Sequence, residues 1–291
     1  MTFALSLWRA IRTGYDVIHV QDPWLAKMLD LLNRSGLSQP RVILAHGTEE
    51  SDGDLQCFRY LQHLAPCYRD SWEARKAPGQ RSFAIPNFVD TTLFRPGKRS
   101  EARTVWNLPP DALIVLSVAA LKKHHKRCDY LIHEFARFQS WCGKPALLVM
   151  AGAREKQTSE IVELGSSLPK DSVLILESLD RARLPSLYQA ADIFALASLH
   201  EMLPIAALEA LASGLPITCN RTPVLEWVTG PAGAPQDISQ AGGLAEQWQR
   251  MSDPRIRARF SSAARTHADQ TFSEPVVLKQ ILNMYAAVMN D

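Results

Sequence analysis

Asp192-Ile-Phe-Ala-Leu196, residues 204–213 and Leu215-Pro-Ile-Thr-Cys219 read in succession as strand, helix and strand. The two outer runs are short and apolar. The segment between them opens on Pro204 and stops at Gly214. Proline suits a first helical turn, where its missing N–H costs nothing, and glycine suits a left-handed stop. Short apolar strands joined by helices point to a parallel sheet covered on both faces.

The alternation runs outward from there. Residues 113–118, 146–150 and 173–176 read as further strands, and residues 129–141, 157–168 and 181–190 as helices. Nearer the start, Tyr15-Asp-Val-Ile-His-Val20, Arg41-Val-Ile-Leu-Ala45 and Phe83-Ala-Ile85 read as strands. Residues 24–33 have helical apolar spacing, and Gly36 would stop that helix. Residues 90–110 are rich in Pro, Gly and charge and read as a linker. After residue 237 the strand signals fade, and residues 242–251, 254–268 and 274–289 read as closing helices. The expectation is an α/β protein of two lobes, residues 1–97 and 98–272, with a final helix over 273–291.

Composition narrows the function. The 291 residues are 46% hydrophobic and 21% charged, enough apolar material to offset the ordering entropy, so a disordered chain is excluded. Thirty-two Lys and Arg against 30 Asp and Glu leave a net charge of +2, which argues against a dedicated nucleic-acid binder. No apolar run is long enough to span a bilayer, and Arg9 and Arg12 interrupt the opening residues too early for a secretory signal. The five cysteines are odd in number and never spaced C-x-x-C. Neither a disulfide framework nor a zinc site follows, and a reducing cytoplasm is the expected setting.

The chemistry concentrates in Ser198-Leu-His-Glu-Met-Leu-Pro-Ile-Ala-Ala-Leu-Glu-Ala-Leu-Ala-Ser-Gly214. Glu209 is the only charge on a helix that is otherwise small or apolar, and such a helix is buried. A buried carboxylate needs a bonding partner. An Arg or Lys from elsewhere would serve, and so would a pair of ligand hydroxyls. Glu201 lies in the loop at the carboxyl end of a strand, where open α/β sheets bind ligands, and the helix that follows aims its first amides there. His46 stands at another strand end, before Gly47, whereas His19 sits within a strand and reads as structural.

Several stretches together resemble retaining, nucleotide-sugar-dependent glycosyltransferases of the family-4, or group 1, type. Glu201-x7-Glu209 followed by Ala-Leu-Ala-Ser-Gly-Leu-Pro resembles their signature. Tyr15-Asp-Val-Ile-His-Val20, Leu44-Ala-His-Gly-Thr48, Ile85-Pro-Asn-Phe-Val-Asp90 through Phe94-Arg-Pro96, and Leu184-Pro-Ser-Leu-Tyr-Gln-Ala-Ala-Asp-Ile-Phe194 resemble other family segments in the same order. The resemblance implies two facing Rossmann-like lobes of the GT-B type. It implies transfer of a sugar from a nucleoside diphosphate sugar to an acceptor hydroxyl, with retention. Glu209 would bond the ribose hydroxyls, Glu201 and His46 would face the donor sugar, and Lys126 would support the diphosphate. Arg127, Leu203 and Ile205 would complete the nucleotide site. The family's diphosphate Arg falls on Ala119 or Ala120, leaving Lys122, Lys123 or Arg127 as substitutes, and both glycines of the usual "EGFG" are replaced. No Asp-x-Asp or His/Cys cluster appears at ligand spacing, so neither metal nor cofactor is expected beyond the donor substrate.

Only about 85 residues precede Ile85-Pro-Asn87, fewer than a complete lobe of this type holds. The opening strand and glycine-rich loop of the family have no counterpart, so the N-terminal lobe reads as incomplete. The strands at 16–20 and 42–45, apolar on both faces, read as central strands in need of neighbours. An exposed central edge favours self-association or a partner chain. The acceptor is a glycan, lipid or small molecule, with peripheral membrane contact among the expectations. The alternative is a catalytically impaired nucleotide-sugar-binding module, or a subunit of a larger transferase.

Overall fold

The computed structural model describes residues 2–11, 14–33, 40–48 and 50–291. The helix stop expected at Gly36 and the basic Arg12 lie outside these residues. The chain forms two compact units, 1–87 with 275–291 and 88–274. The division thus falls ten residues before the expected boundary at 97/98. The last helix, expected as a separate closing element, belongs to the first unit.

The first unit is a four-stranded parallel sheet of β1 (Val17–Val20), β2 (Arg41–His46), β3 (Tyr60–His63) and β4 (Arg81–Ala84), side by side in chain order. Around it lie α1 (Thr2–Ile11), α2 (Pro23–Leu32), α3 (Asp52–Leu55) and α4 (Pro66–Glu73). Alternate residues of β2 go to opposite faces, as the strand period of two requires. Val42 and Leu44 pack with Leu29, Leu61 and Trp72, whereas Ile43 packs with Tyr60, Val277, Met284 and Val288 of the returning last helix. Both faces are therefore covered.

Among the described residues β1 pairs only with β2 and is half-buried along its length. Its other edge carries no strand among the described residues, in keeping with a strand read as in need of neighbours. β3 and α4 were absent from the sequence reading.

The second unit begins with α5 (Arg99–Val105), inside the stretch expected to be a linker. That stretch is folded because Phe94, Ala102, Trp106 and Leu108 are buried, and Trp106 Nε1 donates to Ser186 Oγ at 3.0 Å. The sheet contains β5 (Leu113–Val118), β6 (Ala146–Gly152), β7 (Val173–Glu177), β8 (Ile193–Ala195) and β9 (Ile217–Thr218). All pairs are parallel, in the order β7-β6-β5-β8-β9. The connecting helices are α6 (Cys128–Cys142), α7 (Thr158–Ser166), α8 (Leu184–Ala190), α9 (Ile205–Ala212) and α10 (Pro223–Thr229). Then follow α11 (Gly243–Met251), α12 (Pro254–His267) and, in the first unit, α13 (Glu274–Met289).

From β5 the chain builds outward to β7, then returns to the other side of β5 to lay down β8. The reversal between β5 and β8 is a topological switch point, and ligands of open α/β sheets sit outside the strand carboxyl ends at such a point. Gly152 keeps the β5 side of this crevice tight. A Cβ there would stand 1.7 Å from the Ala119 carbonyl oxygen, so only glycine lets the loop after β5 close on the end of β6.

Glu134 ties the unit together. This α6 carboxylate is 1% exposed and accepts three backbone N–H groups at the start of α11: Gly242 at 2.6 Å, Leu244 at 3.0 Å and Ala245 at 3.1 Å. Buried charge-assisted bonds of this kind are costly to break. Glu134→Gln leaves one amide nitrogen facing donors. It is expected to lower stability by about 2 kcal/mol, read as a shifted denaturant midpoint.

Candidate nucleotide-sugar site

The loops after β5 and β8 carry the residues that the sequence singled out. The first loop carries Lys126 and the second Glu201, and the switch point brings them together. Lys126 Nζ is ion-paired and hydrogen-bonded to Glu201 Oε1. Their side chains are 20% and 9% exposed, so the pair is largely shielded from water. Arg127, the next residue, is turned elsewhere. Its Nη1 donates to the Ile238 carbonyl at 2.9 Å and its guanidinium lies 3.9 Å from the Tyr130 ring centre.

Glu209 lies on α9, where Ala207, Leu208, Ala210 and Leu211 are fully buried. Both of its oxygens are bonded: Arg181 Nη2 donates to Oε1 at 3.0 Å, and Tyr188 Oη donates to Oε2 at 2.9 Å. Of the two partners weighed from sequence, the structure supplies the Arg and adds a tyrosine. Burial pushes the Glu209 carboxyl above its ordinary range, and the Tyr188 and Arg181 bonds oppose that rise. Tyr188 is driven well above the usual phenol range by burial and by the Glu209 charge beside it. The two members of the contact differ in permanence. Tyr188 is fully buried, whereas the Arg181 side chain is 76% exposed.

Leu203 is buried and Ile205 half-buried at the entry to α9. Pro204 precedes the helix and offers no N–H, so the first amides available belong to Ile205 and Ala206. The loop after β5 has backbone specials of its own. His125 and Arg127 hold left-handed backbone at φ 70° and 51°, a geometry that costs a residue bearing a Cβ about 1 kcal/mol or more. Gln157 Oε1 accepts the Lys123 and His124 amides at 3.1 and 3.4 Å and steadies the turn.

In the first unit, His46 ends β2 and pairs in register with His63 of β3. Their Nδ1 atoms are 3.2 Å apart, and His46 Nε2 lies 2.8 Å from Glu50 Oε2. With the His46 proton on Nε2 toward Glu50, its Nδ1 accepts from His63 Nδ1–H, and both rings are neutral. Burial lowers the His46 pKa, with Glu50 pulling the other way. His63 is held down to about 4 by burial and by its histidine neighbour. His19 is half-buried and bonded to Tyr285 Oη at 2.9 Å, the structural place expected of it.

Two parallel α/β units, the second with a buried Lys–Glu pair at its topological switch point, place the chain in the α/β class. A family model described as glycosyl transferases group 1 matches residues 98–267. D-inositol 3-phosphate glycosyltransferase of Mycolicibacterium smegmatis (strain ATCC 700084 / mc(2)155) is 31% identical over 211 residues, 70% of this chain and 46% of the relative. The chain therefore spans about half the length of the curated relative it matches. Among solved structures, sucrose-phosphate synthase (tll1590) from Thermosynechococcus elongatus superposes with a TM-score of 0.82 at 19% identity, over 99% of this chain and 77% of the other. Anabaena Alr3699/HepE in complex with UDP and glucose gives 0.80 at 17%, over 98% and 82%. The fold is that of GT-B glycosyltransferases, and the chain belongs to the group 1 glycosyltransferase family.

His63 makes acid sensitivity a property of the first unit. Its pKa is about 4 in the fold against roughly 6.5 unfolded. The unfolded chain therefore binds the proton first as pH falls. His63's contribution is complete above about pH 6.5 and is lost as pH drops toward 4, at up to ~1.4 kcal/mol per pH unit. Urea midpoints between pH 7 and 4.5 are expected to fall with this slope, and His63→Gln to flatten it.

Proposed function

We propose that the chain supplies the donor site of a nucleotide-sugar-dependent glycosyltransferase. In this reading a sugar passes from a nucleoside diphosphate donor to an acceptor hydroxyl with retained configuration. The observation that carries the reading is the Lys126–Glu201 pair at the β5/β8 switch point, with Glu209 one helix further on. The structural relative solved with UDP and glucose supports this class of donor.

Lys126 then stands where negative charge grows as the sugar–phosphate bond breaks. Its counter-ion Glu201 turns to the sugar hydroxyls once the diphosphate takes the ammonium. The amides of Ile205 and Ala206 add positive potential at the start of α9. Catalysis rests on electrostatic support of the leaving diphosphate, held in place before the reaction begins. No covalent nucleophile is required.

Glu209 takes the two ribose hydroxyls. Arg181, three-quarters exposed, is the replaceable partner, while Tyr188 stays and orients the carboxylate.

Two substitutions separate binding from chemistry. Glu209→Gln is expected to weaken nucleoside diphosphate binding about tenfold, as loss of a charge-assisted bond does. Calorimetry that finds unchanged affinity in a folded variant removes the ribose role. Lys126→Ala is expected to lower kcat about 10²-fold or more, as lost transition-state donors do. Unchanged turnover of a nucleotide sugar by this variant would show that the diphosphate lies elsewhere.

A further inference from the structure

Beside the Lys126–Glu201 pair, the second unit holds a cavity of about 710 Å³, within the size range of small-molecule sites. Neither Lys126 nor Glu201 lines it. Six basic or titratable nitrogen side chains do: Lys123, His124, His125, Arg127, His133 and His200. They converge from the loop after β5, from α6 and from the loop after β8. Asp129 is the one carboxylate of the lining. Lys123 is partly neutralised by Glu160 of α7, 2.5 Å away.

Arg127 is the anchored cation of the wall. Arg127 stacks on Tyr130 and is bonded to Ile238, and Tyr130 Oη donates to the Gln240 carbonyl at 2.9 Å. His125 and Arg127 occupy left-handed backbone that glycine would adopt without strain. The loop thus keeps two side chains, at a conformational cost, where both face the same cavity. Among the described residues no three His, Cys, Asp or Glu are placed to hold a metal ion. Burial, with Lys126 and Lys122 nearby, holds the His125 imidazole below its ordinary range, and Glu201 pulls the other way.

We propose that this cavity binds a phosphoryl group carried by the sugar acceptor, next to the point of transfer. Arg127 and the imidazoles supply donors to the phosphoryl oxygens, and Tyr130 and Leu199 supply the apolar contact for the body of the molecule. The inference rests on the transferase reading for the ligand's role as acceptor. Capture of the anion does not depend on it.

Inorganic phosphate, titrated into the full chain, tests the site through the histidine Cε1–H resonances in NMR. Phosphate is expected to shift the His133 and His200 resonances, in the wild type and in Lys126→Ala alike. His133→Ala, or His124→Ala as a second exposed variant, is expected to weaken phosphate about tenfold. Silence of these resonances at millimolar phosphate overturns the proposal. So do shifts that vanish in Lys126→Ala and survive in His133→Ala, which place phosphate at the donor's diphosphate position. Repeating the titration with UDP, GDP or ADP present separates the two sources. Retained phosphate affinity with the nucleotide bound supports an acceptor subsite, and competition overturns it. A chain that takes phosphate here but binds none of the three nucleotides supports the anion site and defeats the transferase reading.

Discussion

A carboxylate taken out of water into an apolar sheet domain must be bonded, and the second unit does this four times. Glu134, Asp192, Glu201 and Glu209 are each less than 9% exposed. Leaving any of them unpaired would cost several kcal/mol or force neutralisation. Their partners divide them. Glu134 is held by three backbone amides of α11, and Asp192 by the Ile114 amide at 2.9 Å and Arg103 at 2.6 Å, with Arg99 at 3.0 Å. Arg103 is itself buried, whereas Arg99 is half-exposed. Glu201 meets Lys126, and Glu209 meets the exposed Arg181 and the buried Tyr188. In the proposed donor site, Lys126 and Arg181 are the partners that a ligand would replace.

Sheet order explains why the exchangeable pair lies where it does. Ordinary parallel βαβ growth from β5 to β7, followed by the return to β8, leaves two carboxyl-end loops facing one crevice. Lys126 and Glu201 are 75 residues apart and meet only because of that reversal. The small residues of α9 serve the same end. Alanines at 207, 210 and 212 let the helix pack closely enough to bury Glu209 against Tyr188. A bulkier helix would stand off from α8 and leave the carboxylate to water.

Long, periodic segments were legible in the sequence because burial on both faces writes itself as an apolar run. β5, β6 and α6 appeared within one or two residues, and α13 was read as 274–289, its observed range. Segments whose burial depends on tertiary partners were not. Tyr60-Leu-Gln-His63 is a fully buried strand, yet half its residues are polar. Gln62 donates to the Ile85 carbonyl and His63 pairs with His46, partners no local pattern shows. α10 carried a usable signal, Thr222 followed by Pro223, with the Thr222 hydroxyl accepting the Leu225 amide. It was passed over because seven residues give too little periodicity. The same division holds at the site. Glu201, Glu209 and Lys126 stood out through their motifs, whereas Arg181 and Tyr188 earn their place only through the packing of α8 on α9. The run 122–127 was visible as charge, but His133 and His200, which complete the cavity, come from other elements.

What the loop after β5 contributes is best seen in its energetics. Two left-handed residues, His125 and Arg127, hold it in a shape that an unrestrained chain would avoid. That shape persists because Gln157 accepts two of its amides, Lys123 reaches Glu160, and Arg127 is fixed by Ile238 and Tyr130. None of these contacts uses the Lys126 ammonium, which the same turn presents toward Glu201. A cation fixed in this way needs little rearrangement when negative charge develops beside it, and such fixed charge in a shielded place is where electrostatic catalysis is strongest. Ala119 and Ala120 stand where the family resemblance would place an arginine. The loop's positive charge lies a few residues on, in the turn that these bonds hold.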